Sequence, residues 1–245
     1  MTDTIPQNPS NGKPTVPAAD TIEAAQPRSM GESAYADLKR EIIQGELVPA
    51  SQWLEEELAA RLGMSRTPVR EALVRLEQEG FVQITPRRGV RVREMTRRDV
   101  LEVNEVLECL ELKATERLAT RGVPPEDMAR LDAAITGMDE ALEKDDVYAW
   151  ARADYAFHRL LIELAGNRHL DAVATNFLDK AHRFRVKTLE MRSRPVKSTS
   201  SHAATVEAIR RMDVEMATDI HRLHKRRWAR EVEVLIERLG LPHGD

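Results

Sequence analysis

The apolar residues between Tyr35 and Val92 change their repeat once, and that change limits the architectures open to the chain. Tyr35, Leu38, Ile42 and Ile43 recur at three- and four-residue spacing, then Leu54, Leu58, Ala59 and Leu62, then Val69, Ala72, Leu73 and Leu76. Each set makes one buried stripe on a helix. Gly45, Gly63 and Gly80 follow the three stripes, where a helix end favours a left-handed residue. Ser33 is the expected N-cap of the first helix. Ser65 is that of the third, with Pro68 in the first turn where a missing N–H costs little. Phe81–Ile84 and Val90–Val92 alternate instead, and Thr85-Pro86-Arg87-Arg88-Gly89 between them has turn composition. The pattern predicts three helices and a β-hairpin, a winged helix-turn-helix, over residues 31–95.

The formal net charge of the 245 residues is −4, which by itself disfavours a nucleic-acid partner. Its distribution reverses the argument. Residues 61–93 hold eight Arg against three Glu, an excess of five positive charges. Glu55, Glu56 and Glu57 are an acidic counterweight expected to face away from phosphates. A helix start can reach base edges in a major groove, and Arg66 and Arg70 share a face there. Ser65, Thr67 and the helix N-terminal amides can hold a phosphate. Arg87, Arg88 and Gly89 form a tip suited to the adjacent minor groove.

The run Leu54-Glu55, Leu58-Ala59, Leu62-Gly63, Ser65-Arg66-Thr67-Pro68-Val69-Arg70-Glu71-Ala72-Leu73, Leu76, Glu79-Gly80 resembles the DNA-binding domain of the GntR family of bacterial regulators. The resemblance implies operator DNA as a partner and Arg66, Thr67, Arg70 and Gly89 as contacts. At one position the chain departs: an Arg common in the family after the first Glu is here Glu56.

From Thr96 to about Leu239 only helical patterns occur, and an all-α bundle of six or seven helices over residues 96–240 is expected. The proposed helices run from Thr96 past Leu118, from Met128 to Leu142, from Tyr148 to Ala165 and from His169 to about Met191. Pro195–Ser201 reads as a polar linker, followed by helices over about 201–211 and 213–239. Aromatics are 4%, so aliphatic residues must fill this core. Cys109 reads as an inert core residue, and one cysteine cannot build a disulfide framework. Residues 1–30 lack a signal peptide's apolar stretch and have the composition of a disordered tail. No apolar run spans a bilayer, so a cytoplasmic chain with no membrane partner is expected.

Asp154 and His158 stand at i, i+4 among Tyr155, Phe157 and Leu161, so both project from a half-apolar helix face. His202 opens a later helix, and His221 and His224 lie on the last. A carboxylate with two or three imidazoles can hold a divalent transition metal such as Zn, Ni or Mn. A buried, hydrogen-bonded histidine is the commoner use of the residue.

Asp154-x-x-x-His158, Ala165-Gly166-Asn167, His202 with Ala208-Ile209 and Asp213, then Ala217 and His224 resemble, in order and spacing, the FCD ligand-binding domain of the FadR-type GntR regulators. The resemblance implies Asp154, His158, His202 and His224 as metal ligands, His224 rather than His221 having the matching offset. It implies that Asn167 lies near a metal-bound water or effector. The Arg expected before Leu110-Glu111 is replaced by Leu107, so an organic-acid effector would need another anchor. Arg183, Arg185 and Arg192 are the candidates.

Three functions remain open at this point. The leading one is a homodimeric, effector-responsive regulator, a repressor, reading a palindromic operator. A metal-dependent hydrolase using the Asp/His cluster is the alternative, although no His-Glu-x-x-His is present. A metal-free interaction domain is the third.

Overall fold

The computed structural model describes residues 29–244, so the expected tail over residues 1–30 lies almost wholly outside the described residues. The first helix, α1 (Met30–Gln44), starts before Ser33. The Ser29 hydroxyl accepts from the Glu32 amide at 3.2 Å, and the Ser29 amide donates to the Glu32 carboxylate at 3.0 Å. This reciprocal pair outcompetes Ser33 as the cap because it satisfies two orphan donors at once. Gly45 closes α1 with φ 77°.

Helices α2 (Glu55–Leu62) and α3 (Arg66–Gln78) follow, with Gly63 at φ 64° between them. Leu54, expected on the buried face of α2, is instead its exposed N-cap. A strand the spacing did not reveal, β1 (Gln52–Trp53), pairs antiparallel with β3 (Gly89–Val92), which also pairs with β2 (Val82–Thr85). Two residues are too few to show alternation, so β1 exists only through its partner. Gly89 has φ 87°, and a Cβ there would lie 2.3 Å from the Trp53 carbonyl oxygen. The glycine is needed for the close approach of β1 to β3, whatever the wing tip touches. Leu38, Ile42, Leu58, Val69, Leu73, Leu76, Phe81 and Val90 are all nearly solvent-free in one core, each contributing on the order of 1.5–3 kcal/mol.

The rest is helical: α4 (Arg97–Arg121), α5 (Pro125–Glu143), α6 (Val147–Leu164), α7 (Arg168–Thr188) with a 3-10 turn Leu189–Met191, α8 (Val196–Arg210) and α9 (Val214–Leu239). Thr96 caps α4 through Asp99, Asp146 caps α6 and Asp213 caps α9. The expected linker over residues 195–201 is in fact the start of α8. Thr199 and Ser201 are buried there, and the Thr199 hydroxyl accepts from the Trp150 indole at 2.9 Å. Those contacts override a polar composition. Cys109 is exposed rather than a core residue, because α4 turns Leu107, Glu111, Ala114 and Leu118 inward instead. Among the described residues, no helix is long and apolar enough to cross a membrane.

Helix α1 also packs on α7. Lys39 pairs with Glu79 at 2.8 Å and with Asp179 of α7, and the Tyr155 hydroxyl donates to Asp179 at 2.6 Å. Burial alone would pull the Lys39 amine down, but Asp179 and Glu79 hold it above its usual range. The three helices and hairpin therefore rest on the bundle through buried, partnered charges.

Candidate functional site

Four helices bring a set of ionisable side chains to the middle of the bundle. Asp154 and His158 come from α6, His202 from α8, His221, His224 and Lys225 from α9, and Glu111 from α4. One nitrogen each of His158, His202 and His224 lies within 4.8 Å of the others, and all three residues are buried. Asp154 joins this trio at 3.1 Å from His202 Nε2 and 3.8 Å from His158 Nε2. All four residues expected from the resemblance are thus in one place.

His221, which that resemblance set aside, is turned toward Glu111 at 3.2 Å. Glu111 is fully buried and also approaches His158 Nδ1 to 3.0 Å and the Lys225 ammonium. Its burial would raise the carboxyl, but His158 and Lys225 outweigh that and hold it well below the usual carboxylate range. Asp154 follows the same logic, with Arg185 Nη1 2.9 Å from its Oδ2. The two carboxylates are balanced by Lys225 and Arg185, and burial depresses His158, His202, His221 and His224. Burial thus favours the neutral form of each imidazole, which is the form that coordinates metal.

The donor set fits a divalent transition metal on the structure's own terms. Two ligands at about 2.1 Å from one ion stand at most roughly 4.2 Å apart, so the trio needs only a small contraction. Both His158 ring nitrogens are buried without a hydrogen-bond partner. The Glu111 carboxylate 3.0 Å from Nδ1 favours the proton on that nitrogen, which leaves Nε2 free to coordinate.

The anticipated effector contacts separate. Arg185 is at the cluster. Asn167 is instead the N-cap of α7, its side-chain oxygen accepting from the His169 and Leu170 amides at 3.1 and 3.3 Å. Arg183 donates to the Arg93 carbonyl at 2.8 Å, between the two domains. Arg192 pairs with Glu231 at 2.8 Å and lies over the Trp228 ring. Glu111 and Lys225 were missed, though both left a trace. Glu111 occupies an inward position of the stripe Leu107–Glu111–Ala114–Leu118, where a charge implies a buried partner. Lys225 shares a face with His221 at i, i+4.

The second surface is formed by α3 and the hairpin. Ser65 is the N-cap of α3 but makes no capping hydrogen bond with its side chain. Arg66, Thr67 and Arg70 are exposed at the helix start, and Arg87 and Arg88 at the hairpin tip. Glu55, expected to turn away, instead stands 3.7 Å from Arg66. An acidic side chain therefore shares the basic surface.

Comparison with known proteins assigns both parts. The model of the bacterial regulatory proteins, gntR family, matches residues 30–92, and that of the FCD domain matches residues 102–227. An HTH-type transcriptional regulator from the TAR-I ttuE-ttuC' intergenic region of Agrobacterium vitis is 38% identical over 150 residues, covering 60% of this chain and 86% of that protein. An HTH-type transcriptional regulator in an unstable DNA locus of Streptomyces ambofaciens is 30% identical over 208 residues, covering 81% and 83%. The solved structure of E. coli McbR/YncC superimposes with a TM-score of 0.75 at 23% identity, covering 86% of this chain and 99% of that one. This last likeness speaks to the fold.

Proposed function

The chain belongs to the gntR family of bacterial regulatory proteins and carries an FCD domain, and from that premise we propose that it is a metal-centred repressor acting as a homodimer on a palindromic operator. The family consists of DNA-binding transcriptional regulators rather than enzymes, which sets the hydrolase alternative aside. The observation that carries the finer reading is the convergence of one nitrogen each of His158, His202 and His224 to within 4.8 Å, in a buried cluster whose carboxylates are matched by Arg185 and Lys225.

In this reading α3 enters the major groove. Arg66 and Arg70 read base edges, Ser65 and Thr67 hold phosphate, and Arg87 and Arg88 reach the flanking minor groove with Gly89 shaping the tip. Two copies would place their α3 helices about 34–36 Å apart, one turn of DNA. His158, His202, His224 and Asp154 would hold the metal, and a bound divalent ion would supply a Lewis-acidic contact for an organic-acid effector. Arg185 orients Asp154 and offers a second charge to that acid. An effector that binds one dimer geometry better than the other shifts the population away from the operator-matched form by that difference in affinity.

A mobility-shift titration against the DNA upstream of the chain's own gene, with metal analysis of the purified protein and of His202→Ala, tests the proposal. We expect a low-salt shift, and metal in the parent protein but not in the variant. Absence of the shift with and without added Zn or Ni would overturn operator binding. Absence of metal from both proteins, with no uptake on addition, would overturn the metal centre.

A further inference from the structure

Arg183 is a buried cation of a different kind from the others. Lys39 has Asp179 and Glu79, Arg185 has Asp154, and Lys225 has Glu111. Arg183 is 5% exposed, and among the described residues no carboxylate forms an ion pair with it. Its guanidinium donates instead to a neutral acceptor, the Arg93 carbonyl, at 2.8 Å. Burial pulls the guanidinium down to about 10. A desolvated, unpaired charge is costly to keep unless something pairs with it.

Arg183 lines a cavity of about 100 Å³ where the hairpin's first residue, the segment joining the two domains, α4 and α7 meet. Phe81, Val100, Val103 and Phe184 give it apolar walls, Arg93 and Lys180 place two further cations on the lining, and the exposed Glu94 also borders it. Asp99 also borders the space, but its carboxylate is engaged by the Thr96 amide and hydroxyl at 3.0 and 2.7 Å. We propose that this interdomain cavity is a binding site for a short aliphatic monocarboxylate, which pairs with Arg183 and lays its alkyl chain against Phe81 and Val103. Three features select that chemistry. Arg offers two parallel N–H groups to a planar carboxylate. The aromatic and aliphatic walls suit a hydrocarbon chain. The volume is well below the roughly 300–1,000 Å³ of a drug-sized site, which restricts the acid to a few carbons.

The acid would touch α7 on one side and the Phe81–Arg93 junction of the wing on the other, where the Arg93 amide donates to the Phe81 carbonyl at 3.0 Å. Its occupancy would therefore bias how the hairpin domain is held against the bundle. That consequence rests on the regulator reading. The binding itself does not, and neither does it use the histidine cluster.

The probe is butyrate, with butyramide as its uncharged isostere. Calorimetry and thermal shift are run on the full chain before and after chelation, on Arg183→Gln, and on Val103→Trp, which fills the cavity while keeping the arginine. We expect saturable butyrate binding that survives chelation, at least tenfold weaker binding of butyramide, and at least tenfold weaker butyrate binding by either variant. Butyrate binding that is absent, matched by butyramide, abolished by chelation, or unchanged in Arg183→Gln would overturn the site. Should Arg183→Gln not fold, unchanged affinity in Val103→Trp overturns it equally. An operator shift that persists while butyrate fails to bind would remove only this site. Butyrate binding without any operator shift would remove only the repressor reading.

Discussion

Glu111 Oε1 lies 3.0 Å from His158 Nδ1, joining a carboxylate on α4 to an imidazole on α6 in the middle of the bundle. The same carboxylate meets His221 and Lys225 of α9. Removing its charge would leave Lys225 buried without a partner and His158 without its orienting acceptor. Groups that orient a metal-bound histidine typically account for about 10–100-fold in affinity. We expect Glu111→Gln to weaken Zn or Ni binding by about that factor, measured by competition with a chromophoric chelator. Unchanged affinity would show that Glu111 does not position His158. Glu111→Ala should also lower stability by about 3–5 kcal/mol, since it breaks a buried ion pair.

Metal removal should be felt as lost stability. A ligand at 100 times its Kd stabilises the folded state by about 2.7 kcal/mol. Chelation should therefore lower the Tm of the parent protein by several degrees and leave that of His202→Ala unmoved. Equal shifts in both proteins would place the chelator's effect elsewhere.

Arg70 and Arg88 are both exposed, so their loss should spare the fold and separate two kinds of DNA contact. Arg70→Ala should cost about 1–3 kcal/mol of operator affinity and relax sequence preference. Arg88→Ala should weaken specific and non-specific DNA alike and flatten the salt dependence by about one unit of slope. Competition titrations at several salt concentrations distinguish the two outcomes. An Arg70→Ala protein that keeps its full selectivity would refute the base contact.

Gly89 should resist substitution for an internal reason. A Cβ would meet the Trp53 carbonyl at 2.3 Å, and the residue's φ of 87° already disfavours side chains. Gly89→Ala should destabilise the hairpin domain by roughly 2 kcal/mol or more, visible as a lower urea midpoint. A neutral effect would mean that β1 can separate from β3 at little cost.

His182 offers a pH test on metal-free protein. It packs its ring 4.6 Å from that of Tyr155. Burial, reinforced by Arg185 and offset in part by Asp154, lowers it to about 3. The unfolded chain binds this proton below pH 6.5 and the folded chain does not until about pH 3. Folding stability should therefore fall as the pH drops through that window, by at most about 1.4 kcal/mol per unit from this one group. Urea titrations at pH 7.5 and 5 should show a smaller loss for His182→Phe than for the parent. An equal loss would assign the acid sensitivity to other groups.

Much of this was legible locally. Apolar spacing and the glycines located α1, α2, α3 and the hairpin, because helix and strand repeats are properties of neighbouring residues. The Asp154/His158 pair was visible because i, i+4 residues share a helix face. The errors came where a distant partner decided the outcome. Residues 195–201 look like a linker until Trp150 and the bundle interior bury Thr199. Glu55 was expected to turn from the basic surface, yet Arg66 attracts it. Asn167 was expected near an effector, yet the amides of α7 claim its side chain.

By itself the sequence determined that the chain forms a basic helix–hairpin module followed by an all-helical bundle, and that one bundle helix presents an acid and an imidazole on the same side. Periodicity, caps and turn residues act over a few positions, so the chain carries that information openly. Only the tertiary structure decided which of two neighbouring histidines joins the trio and which turns to Glu111, which arginine is neutralised by Asp154, and which is left facing a cavity. Those choices depend on burial and charge balance among residues up to 110 positions apart. A low-dielectric interior requires each charge to be matched by whatever the fold places beside it. Arg183 is where that matching is left incomplete among the described residues.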